Sequence, residues 1–241
     1  MNTTNNQLSR SELWLSRWDD TAKKENPFAT MGRSSDTISE YFAYITDLLN
    51  GLDGIDKNTV LLDAAGGCGY LSLYFSTLAK EVHLFDYSEE AIAKAKVSCK
   101  MFPNIFPYTD NLLTLENTKS NQIKYKKILV GGVLQYFDSY EEIEKILQNL
   151  FDITEDQGRV FISQTTDLSL RDKHVASYQH LEWPEEQKSA AIQEELTNRF
   201  WIDFEQLKSI ALKVGFKTCI KTKNNPNLFQ STHMFDFYLV K

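Results

Sequence analysis

The sequence has 241 residues, of which 42% are hydrophobic, and carries a formal net charge of -7. That length suits one domain with its own core. Acids and bases are interspersed without a basic stripe, which argues against nucleic acid as the main partner. No apolar run approaches the roughly 18 residues of a membrane span, the N-terminus lacks the apolar region of a signal peptide, and three separated cysteines indicate reduced thiols in a cytoplasmic protein.

Aromatic and aliphatic residues at helical spacing fill residues 13–50. They form one group around Trp14 and Trp18 and another over residues 38–49, separated by the segment NPFATMGRSSD. The pattern predicts two helices joined by a loop. We therefore expect residues 1–58 to form an N-terminal helical cap on the main domain.

From residue 59 onward, short strands alternate with helices. Buried strands are predicted at residues 60–62, 82–85 and 104–108, and within KILVGGVL and GRVFIS. Helix starts are indicated by Ser88, which precedes two acids, and by the capping box that begins at Ser139. Such alternation is typical of a doubly wound α/β fold with a mostly parallel sheet, which binds ligands at the carboxyl ends of its strands.

The alternation stops near residue 167. Residues 167–200 are polar and aromatic without strand character, and we expect them to form a lid insert over the substrate mouth. A capped helix follows and ends at Gly215. The last two strands, in KTCIKT and MFDFYLV, are separated by a loop too short for a crossover helix, which predicts an antiparallel hairpin. Residues 59–241 are thus predicted to form one domain around a seven-stranded sheet.

The stretch VLLDAAGGCGYLS, residues 60–72, leads a buried strand to Asp63 and then into two alanines and three glycines. Such a loop favours a large ligand that lies against bare backbone. The dinucleotide-binding pattern G-x-G-x-x-G is incomplete because Ser72 stands in place of the third glycine, and the Asp63 carboxylate disfavours a diphosphate. A P-loop is excluded because no Gly-Lys-Ser/Thr follows. A cationic ligand would tolerate the carboxylate.

This order of strand, acid and glycines resembles the first motif of the class I S-adenosylmethionine-dependent methyltransferases, D/E-x-G-x-G-x-G, with Ala65 at the first glycine. The resemblance continues in order through EVHLFDYSEEAIAKAK, FPYTDNLL and YKKILVGGVLQYF to the late helix that ends in Gly-Phe, so that it covers residues 59–241. A glycine-rich turn of another α/β enzyme is the alternative for the first motif alone. The resemblance implies a Rossmann-like fold with S-adenosylmethionine (SAM) as cofactor, S-adenosylhomocysteine (SAH) as product and no metal.

The same resemblance assigns cofactor contacts. The glycine loop would approach the methionine part and the ribose, while Asp63 would orient the amino end. Asp86, at the end of the second strand, would accept from both ribose hydroxyls, a task suited to a carboxylate. Tyr87 would pack on the adenine, with a core aromatic as the alternative, and Asp110 would accept from the adenine amino group, with an exposed loop acid as the alternative. The expected cofactor-binding residues are Trp18, Arg33, Asp63, Ala65, Gly67, Gly69, Asp86, Tyr87, Asp110, Asn111 and Gly131.

Trp18 and Arg33 belong to the N-terminal cap, which closes over the cofactor in related enzymes. Arg33 is expected to meet the methionine carboxylate or an anionic substrate group, with a plain surface arginine as the alternative. For Trp18, the alternative to a cofactor contact is an ordinary position in the hydrophobic core.

Methyl transfer is an in-line displacement, so the protein mainly positions the reactants, and a hydroxyl acceptor also needs a base. His180 in the insert and His233 at the last strand are the candidate bases, each with a surface or core role as the alternative. Tyr136, just after the fourth strand, is expected beside the transferred methyl group. No spacing of histidines and carboxylates indicates a metal site.

The fourth strand ends in VGGVLQYF and not in the N-P-P-Y type of sequence associated with nitrogen methylation of bases and amides. The predicted function is therefore O-methylation of a small polar metabolite, such as a sugar or a phosphorylated or acidic compound, by a monomer or homodimer without nucleic-acid or membrane partners. One alternative is an N-methyltransferase of a small amine or of a protein side chain. The other is a non-catalytic cofactor-binding subunit, against which the intact glycine loop and Asp86 argue.

Overall fold

The computed structural model describes residues 10–30 and 38–241, which are built around a seven-stranded sheet. The strands are β1 (Val60–Ala64), β2 (Glu81–Asp86), β3 (Ile105–Thr109), β4 (Tyr125–Gly131), β5 (Thr154–Thr166), β6 (Thr218–Thr222) and β7 (Met234–Val240). Their order is β3-β2-β1-β4-β5-β7-β6. Strands β1 to β5 are parallel, and β7 pairs antiparallel with both β5 and β6. The predicted doubly wound sheet with a C-terminal antiparallel hairpin is confirmed.

Helices cover both faces of the sheet. They are α1 (Arg10–Ala22), α2 (Pro27–Thr30), α3 (Ile38–Leu52), α4 (Tyr70–Ser76), α5 (Glu89–Ser98), α6 (Glu116–Ser120), α7 (Tyr140–Ile153), α8 (Arg171–Ser177), α9 (Glu185–Thr197) and α10 (Phe204–Val214). Short 3₁₀ turns lie at Leu134–Tyr136, Leu168–Leu170, Tyr178–His180 and Phe229–Thr232. The Ser88 and Ser139 hydroxyls accept from backbone N–H groups in the first turns of α5 and α7, as the capping patterns predict.

The core has two layers, one on each face of the sheet. Leu61 of β1 packs with α3 and α4, whereas its neighbour Leu62 packs with α7 on the other face. The same alternation relates Phe161 and Ile162 of β5. Strands that are buried on both faces read as continuous apolar runs, which explains why the central strands are evident in the sequence.

Helix α3 is part of one core layer. Its residues Leu48 and Leu52 are fully buried and pack with Phe161. A Cβ on Gly51 would lie only 2.2 Å from the Phe161 ring, so glycine permits this close approach. The N-terminal part of the chain therefore has two structural roles, because α1 lies over the carboxyl edge of the sheet while α3 packs on its face. The proposed division at residue 58 stays a prediction.

The insert at residues 167–200 consists of α8, α9 and two 3₁₀ turns. A bridge between Asp167 and Ile202 joins the start of the insert to the segment just after its end. Within residues 10–30 and 38–241, none of the helices has the length and apolar character needed to cross a membrane.

Candidate active site

A cavity of about 420 Å³ opens at the carboxyl ends of the parallel strands. Its position is where the strand order reverses between β1 and β4, the usual ligand site of an open α/β sheet. One end is lined by the glycine loop (residues 63–69) and the ends of β2 and β3. The other end, called the distal end below, is lined by the residues that follow β4, the bulge of β5 and the turn before β7.

The glycines of the loop serve different purposes. A Cβ on Gly66 would lie 2.7 Å from the Asp63 carboxyl and 2.2 Å from Leu84, so this position needs glycine for packing. Gly67 has a φ of +58° and faces open space, where a ligand can lie against its backbone. Gly69 has a φ of +80° at the start of α4 and does not line the cavity. A Cβ there would lie 2.9 Å from Cys99 Sγ, so its requirement for glycine is structural.

Asp63 lies buried at the end of β1 and lines the cavity. The Ser72 hydroxyl of α4 donates to its Oδ2 over 2.6 Å. Burial, with a smaller contribution from the Asp86 charge, raises the pKa of Asp63 to about 6, although the Ser72 hydrogen bond opposes the change. The serine at the third glycine position of the dinucleotide pattern thus serves to hold this carboxylate.

Asp86 ends β2, as predicted, and its two oxygens organise the loops around it. Oδ2 accepts from the Gly67 N–H and Oδ1 from the Ser88 N–H, each over 2.9 Å. Burial raises the pKa of Asp86, and these backbone hydrogen bonds act in the opposite direction. A carboxylate has about four acceptor positions, so roughly two remain for the hydroxyls of a bound ribose. The open face of Gly67 and these remaining positions fit the nucleoside part of SAM.

The other predicted adenosine contacts are found along the same end of the cavity. Tyr87 is half exposed, and Asp110 and Asn111 follow β3. The Asp110 carboxylate is already held by the backbone N–H and hydroxyl of Thr118, at 2.7 and 2.6 Å, and by the Asn111 N–H at 2.8 Å. Its first role in this structure is therefore to fix the loop after β3. Ala65, directly after β1, and Gly131, at the end of β4, also line the cavity.

Helix α1 forms a wall of the cavity through Trp14 and Trp18. Both indoles contact the Tyr136 ring, with centroid separations of 4.2 and 5.9 Å. Tyr136 thus lies in the cavity region expected for it, inside an aromatic cluster, and burial raises the pKa of its hydroxyl. Arg33 lies outside the described residues.

The two candidate histidines have different positions. His180 is exposed at the end of a 3₁₀ turn and does not line the cavity. His233 is buried, lines the distal end and stacks on His174 of the insert at 3.8 Å between ring centroids. Burial, with the nearby His174 and Arg199, lowers the pKa of His233 to about 3. Of the two predicted bases, the structure brings only His233 to the cavity.

The tautomer of His233 follows from its neighbour. The Thr232 hydroxyl donates to the Phe229 carbonyl over 2.8 Å, so Thr232 Oγ1 can only accept from His233 Nδ1, which lies 2.9 Å away. The proton is therefore on Nδ1, and Nε2 carries the lone pair. No other described residue forms a hydrogen bond with His233 Nε2.

A polar cluster lies behind the stacked imidazoles. Glu195 Oε1 accepts from the Tyr178 hydroxyl at 3.2 Å and lies 3.8 Å from His174 Nε2, while its Oε2 is 3.2 Å from Arg199 Nε. Burial alone would raise the pKa of Glu195, but its contacts with His174, Arg199 and Tyr178 lower it overall. Arg199 also lines the cavity, so the insert reaches the site through this one side chain among the described residues.

The sequence matches the model of the methyltransferase domain family over residues 37–219. The chain belongs to the methyltransferase domain family. Its recognition as a class I methyltransferase with a Rossmann-like fold, and as an enzyme, is thereby confirmed. Among curated proteins, none matches the sequence.

Solved methyltransferases share this fold over nearly their whole length. The N-methyltransferase NodS from Bradyrhizobium japonicum WM9, in complex with SAH, superimposes with a TM-score of 0.67 at 13% identity over 97% of this chain and 99% of that one. Magnesium protoporphyrin IX methyltransferase (ChlM) from Synechocystis PCC 6803, with bound SAM, gives 0.65 at 15% identity over 99% and 100%. The DhpI–SAH complex gives 0.63 at 16% identity over 97% of both chains. All three bind SAM or SAH, which supports SAM as the cofactor of this methyltransferase.

The described part of this methyltransferase contains no group of three or more histidine, cysteine or acidic side chains able to hold a metal. The absence of a metal from the reaction stays a prediction.

Several site residues carry no signal that sequence-based reasoning could use. The requirement for Gly66 follows from packing with Leu84, and Arg199 and Gln164 reach the cavity from positions that carry no recognised motif. Gln135 lies within the fourth-strand motif, but that motif assigns it no role. Only Ser72 could have been found, because a polar residue at the expected third glycine is itself a signal.

Proposed function

We propose that this protein is a SAM-dependent O-methyltransferase that acts on a hydroxyl group of a small polar molecule bound at the distal end of the cavity. The proposal rests on the lone pair of His233 Nε2, because His233 lines the same cavity as Asp63 and Asp86. When bound, SAM supplies an electrophilic methyl group on a positively charged sulfur. Asp86, Asp63 and the Gly67 backbone would hold the cofactor.

His233 suits the removal of a hydroxyl proton during methyl transfer. Its Nδ1 proton is held by Thr232, so Nε2 is available to accept. A hydroxyl proton becomes strongly acidic as the oxygen gains a methyl group, so a weak base that stays neutral is sufficient. Because the pKa of His233 is about 3, the imidazole is neutral at ordinary pH.

The small size of the acceptor is supported by the walls of the cavity. Helix α1 is tied down on both sides: Lys94 of α5 donates to the Ala22 carbonyl over 3.0 Å, and Trp14 Nε1 donates to the Asn198 carbonyl over 2.9 Å. The aromatic cluster of Trp14, Trp18 and Tyr136 fills the space between. Such a wall keeps water away from the reacting atoms and leaves room for a compact molecule.

An amine acceptor is the principal alternative, since NodS, which has the same fold, is an N-methyltransferase. A neutral amine already has a lone pair and requires no base in the transfer step. A test on His233 therefore separates the two reactions.

The first experiment measures SAH binding by calorimetry, with micromolar affinity expected, about 8 kcal/mol. Methyl-labelled SAM is then incubated with a metabolite pool, and the labelled product is assigned as an ether, ester or amine by NMR. His233→Asn retains the donor to Thr232 and removes Nε2, so it should lower kcat by about a hundredfold or more while SAH affinity is unchanged. His180→Asn should have no comparable effect.

An unchanged kcat in His233→Asn would contradict the role of His233 as the base. A labelled amine would replace O-methylation by N-methylation. Absence of SAH binding at millimolar ligand would contradict the use of SAM altogether.

A further inference from the structure

Gln135 places a carboxamide oxygen without a partner at the distal end. The residue lies in the 3₁₀ turn after β4, is only 2% exposed and lines the cavity. Its Nε2 donates to the Gly132 carbonyl over 2.7 Å, which fixes the orientation of the amide. The Tyr136 hydroxyl oxygen also lies close enough to the Gln135 amide to interact with it as an acceptor. The remaining oxygen, Oε1, is buried and receives no hydrogen bond from the described parts of the chain.

Gln164 places its side-chain carboxamide beside the same glycine. It lies at the bulge of β5, with a φ of +55°, and its backbone N–H donates to Asp236 Oδ1 over 2.7 Å. Its Oε1 would be 3.3 Å from a Cβ on Gly132, so the side chain lies against that residue. Its Nε2 is buried, and no described residue provides an acceptor for it. Gln164 also lines the cavity.

The two side chains therefore flank Gly132 with complementary requirements, because Gln135 lacks a donor and Gln164 lacks an acceptor. A buried polar atom without a hydrogen bond is destabilising, so native proteins rarely keep one without a reason. A ligand group that both donates and accepts would satisfy both atoms together.

We propose that Gln135 and Gln164 form the acceptor-recognition subsite, and that the acceptor carries an uncharged carboxamide-like or hydroxyl group that donates to Gln135 Oε1 and accepts from Gln164 Nε2. The proposal rests on the proposed function and narrows its substrate class to uncharged polar molecules. A carboxylate leaves Gln135 Oε1 without a donor, and an ammonium group leaves Gln164 Nε2 without an acceptor.

The positive charge of Arg199 at the distal end of the cavity does not by itself favour an anionic acceptor. Arg199 is the basic side chain among the described lining residues. Its Nε lies 3.2 Å from Glu195 Oε2, so the two charges are paired although these two atoms are not in hydrogen-bonding geometry. The amide pair has no comparable internal partner. Selection by the two glutamines thus predicts a neutral ligand group.

Three probes of similar size test this selection: benzamide, benzoate and benzylamine. Their common ring suits the aromatic cluster, and they differ in whether they donate, accept or do both. Affinity is measured by ligand-observed NMR on protein saturated with SAH, after calorimetry has confirmed SAH binding. Benzamide is expected to bind about tenfold more tightly than either charged probe.

Two variants then remove the amides while keeping an unbranched side chain of similar length, Gln135→Met and Gln164→Met. Each should abolish the tenfold preference without changing SAH affinity, and Gln148→Met, at an exposed position on α7, is the control. Gln164→Glu keeps the shape and replaces the donor by an acceptor, so it should shift the preference to benzylamine. This variant also covers the case in which a methionine variant fails to fold.

Tighter binding of benzoate or benzylamine to the wild-type protein, equal binding of all three probes, or an undiminished preference in the methionine variants overturns the proposal. If SAH binds and these results are obtained, the methyltransferase function stands and only the recognition subsite fails. If SAH does not bind, the proposed function itself fails.

Discussion

Three carboxyl groups, of which Asp63 and Asp236 are buried and Asp86 is half-buried, hold their protons more tightly than free aspartic acid. Burial raises the pKa of Asp63 to about 6 and that of Asp236 to about 7, and it also raises the pKa of Asp86. Asp63 and Asp86 line the cavity, whereas Asp236 supports it from behind through the Gln164 backbone. Substitution of a single one of these carboxyl groups should therefore change either cofactor binding or the stability of the fold.

Asp86→Asn should weaken SAH binding by roughly ten- to a hundredfold, or about 1.5–3 kcal/mol, because the ribose hydroxyls lose a charged acceptor. The asparagine keeps the shape of the side chain and one acceptor oxygen for the loop, so the fold should persist. Calorimetry gives the affinity, and circular dichroism checks the fold. Glu89→Gln changes a nearby exposed acid on α5 and should bind SAH normally. Normal binding by Asp86→Asn would refute the ribose assignment.

Asp236→Asn should change how stability depends on pH. Between the unfolded pKa of about 3.9 and the native value of about 7, the native state holds a proton that the unfolded state has lost, so wild-type stability rises as pH falls through this window. Above about pH 7 the ionised carboxylate destabilises the fold. The asparagine variant should therefore be more stable than wild type near pH 8, and its advantage should shrink toward pH 5.

Urea unfolding of both proteins from about pH 5 to 8 measures this difference. The lowered pKa of His233 has the opposite effect on stability, because below about pH 6.5 the unfolded chain binds a proton that the native histidine does not bind. Wild type and variant share this contribution, so it cancels in the difference between them. Asp156→Asn, at an exposed acid of β5, should show no such trend. A difference that is constant with pH would contradict the buried, protonated Asp236.

His233 should remain neutral at any pH above about 5. With a native pKa near 3, its protonation cannot reduce kcat/KM between about pH 8 and 5. Nitrogen NMR of labelled histidine should also show the tautomer with the proton on Nδ1, as the hydrogen bond to Thr232 requires. An acidic limb near pH 6.5 that disappears in His233→Asn would contradict this environment.

At the scale of elements, α1 joins the two sides of the cavity. Asp19 accepts from the Ser88 hydroxyl beside the cofactor end, and Arg17 forms an ion pair with Glu194 of the insert. Trp14 adds a hydrogen bond to the Asn198 carbonyl and packs on Tyr136. Since each contact is modest by itself, their simultaneous formation fixes the helix.

Trp14→Ala should loosen α1 and lower SAH affinity by about tenfold, because it removes both the ring packing and the indole hydrogen bond. In wild type, SAH should protect residues 10–22 and 194–199 from hydrogen exchange, and the variant should lose that protection while keeping it at residues 63–70. Trp183→Ala, at an exposed tryptophan of the insert, is the matched control. Protection confined to residues 63–70 and 86–90 in wild type would mean an open site and would favour a macromolecular acceptor.

At the scale of the whole molecule, the residues assigned to cofactor binding and to proton removal line the same cavity. Because the loops after β1, β2 and β3 line it together with α1 and the turn before β7, a bound cofactor should stabilise the folded chain as a unit. The oligomeric state, monomer or homodimer, stays a prediction, as does cytoplasmic location.

SAH at a hundred times its dissociation constant should stabilise the protein by about 2.7 kcal/mol. For a chain of this size that corresponds to a rise in Tm of about 5–10 °C, measurable by scanning calorimetry. Adenosine, which lacks the amino-acid part, should give a smaller rise at equal concentration. No shift with SAH would contradict binding to the native state.

The sequence by itself determined the alternation of elements and the residues at strand ends. Apolar runs predicted the central strands, and the acids at the ends of these runs placed Asp63 and Asp86 at the carboxyl edge of the sheet, because strand and helix periodicity are local properties. The glycine loop indicated the class of cofactor in the same way, because glycines leave the backbone accessible to a ligand and can be identified directly in the sequence. The short final loop likewise predicted the antiparallel hairpin.

Only the tertiary structure decided which distant side chains meet. The stacking of His174 on His233, the approach of Arg199 to the cavity and the exposure of His180 depend on how the insert packs against the last strand. The meeting of Gln135 and Gln164 at Gly132 depends on the pairing of β4 with β5 and on a bulge in β5. Such contacts join positions far apart in the chain, and no local periodicity records them, because packing of the whole core sets the distances between them.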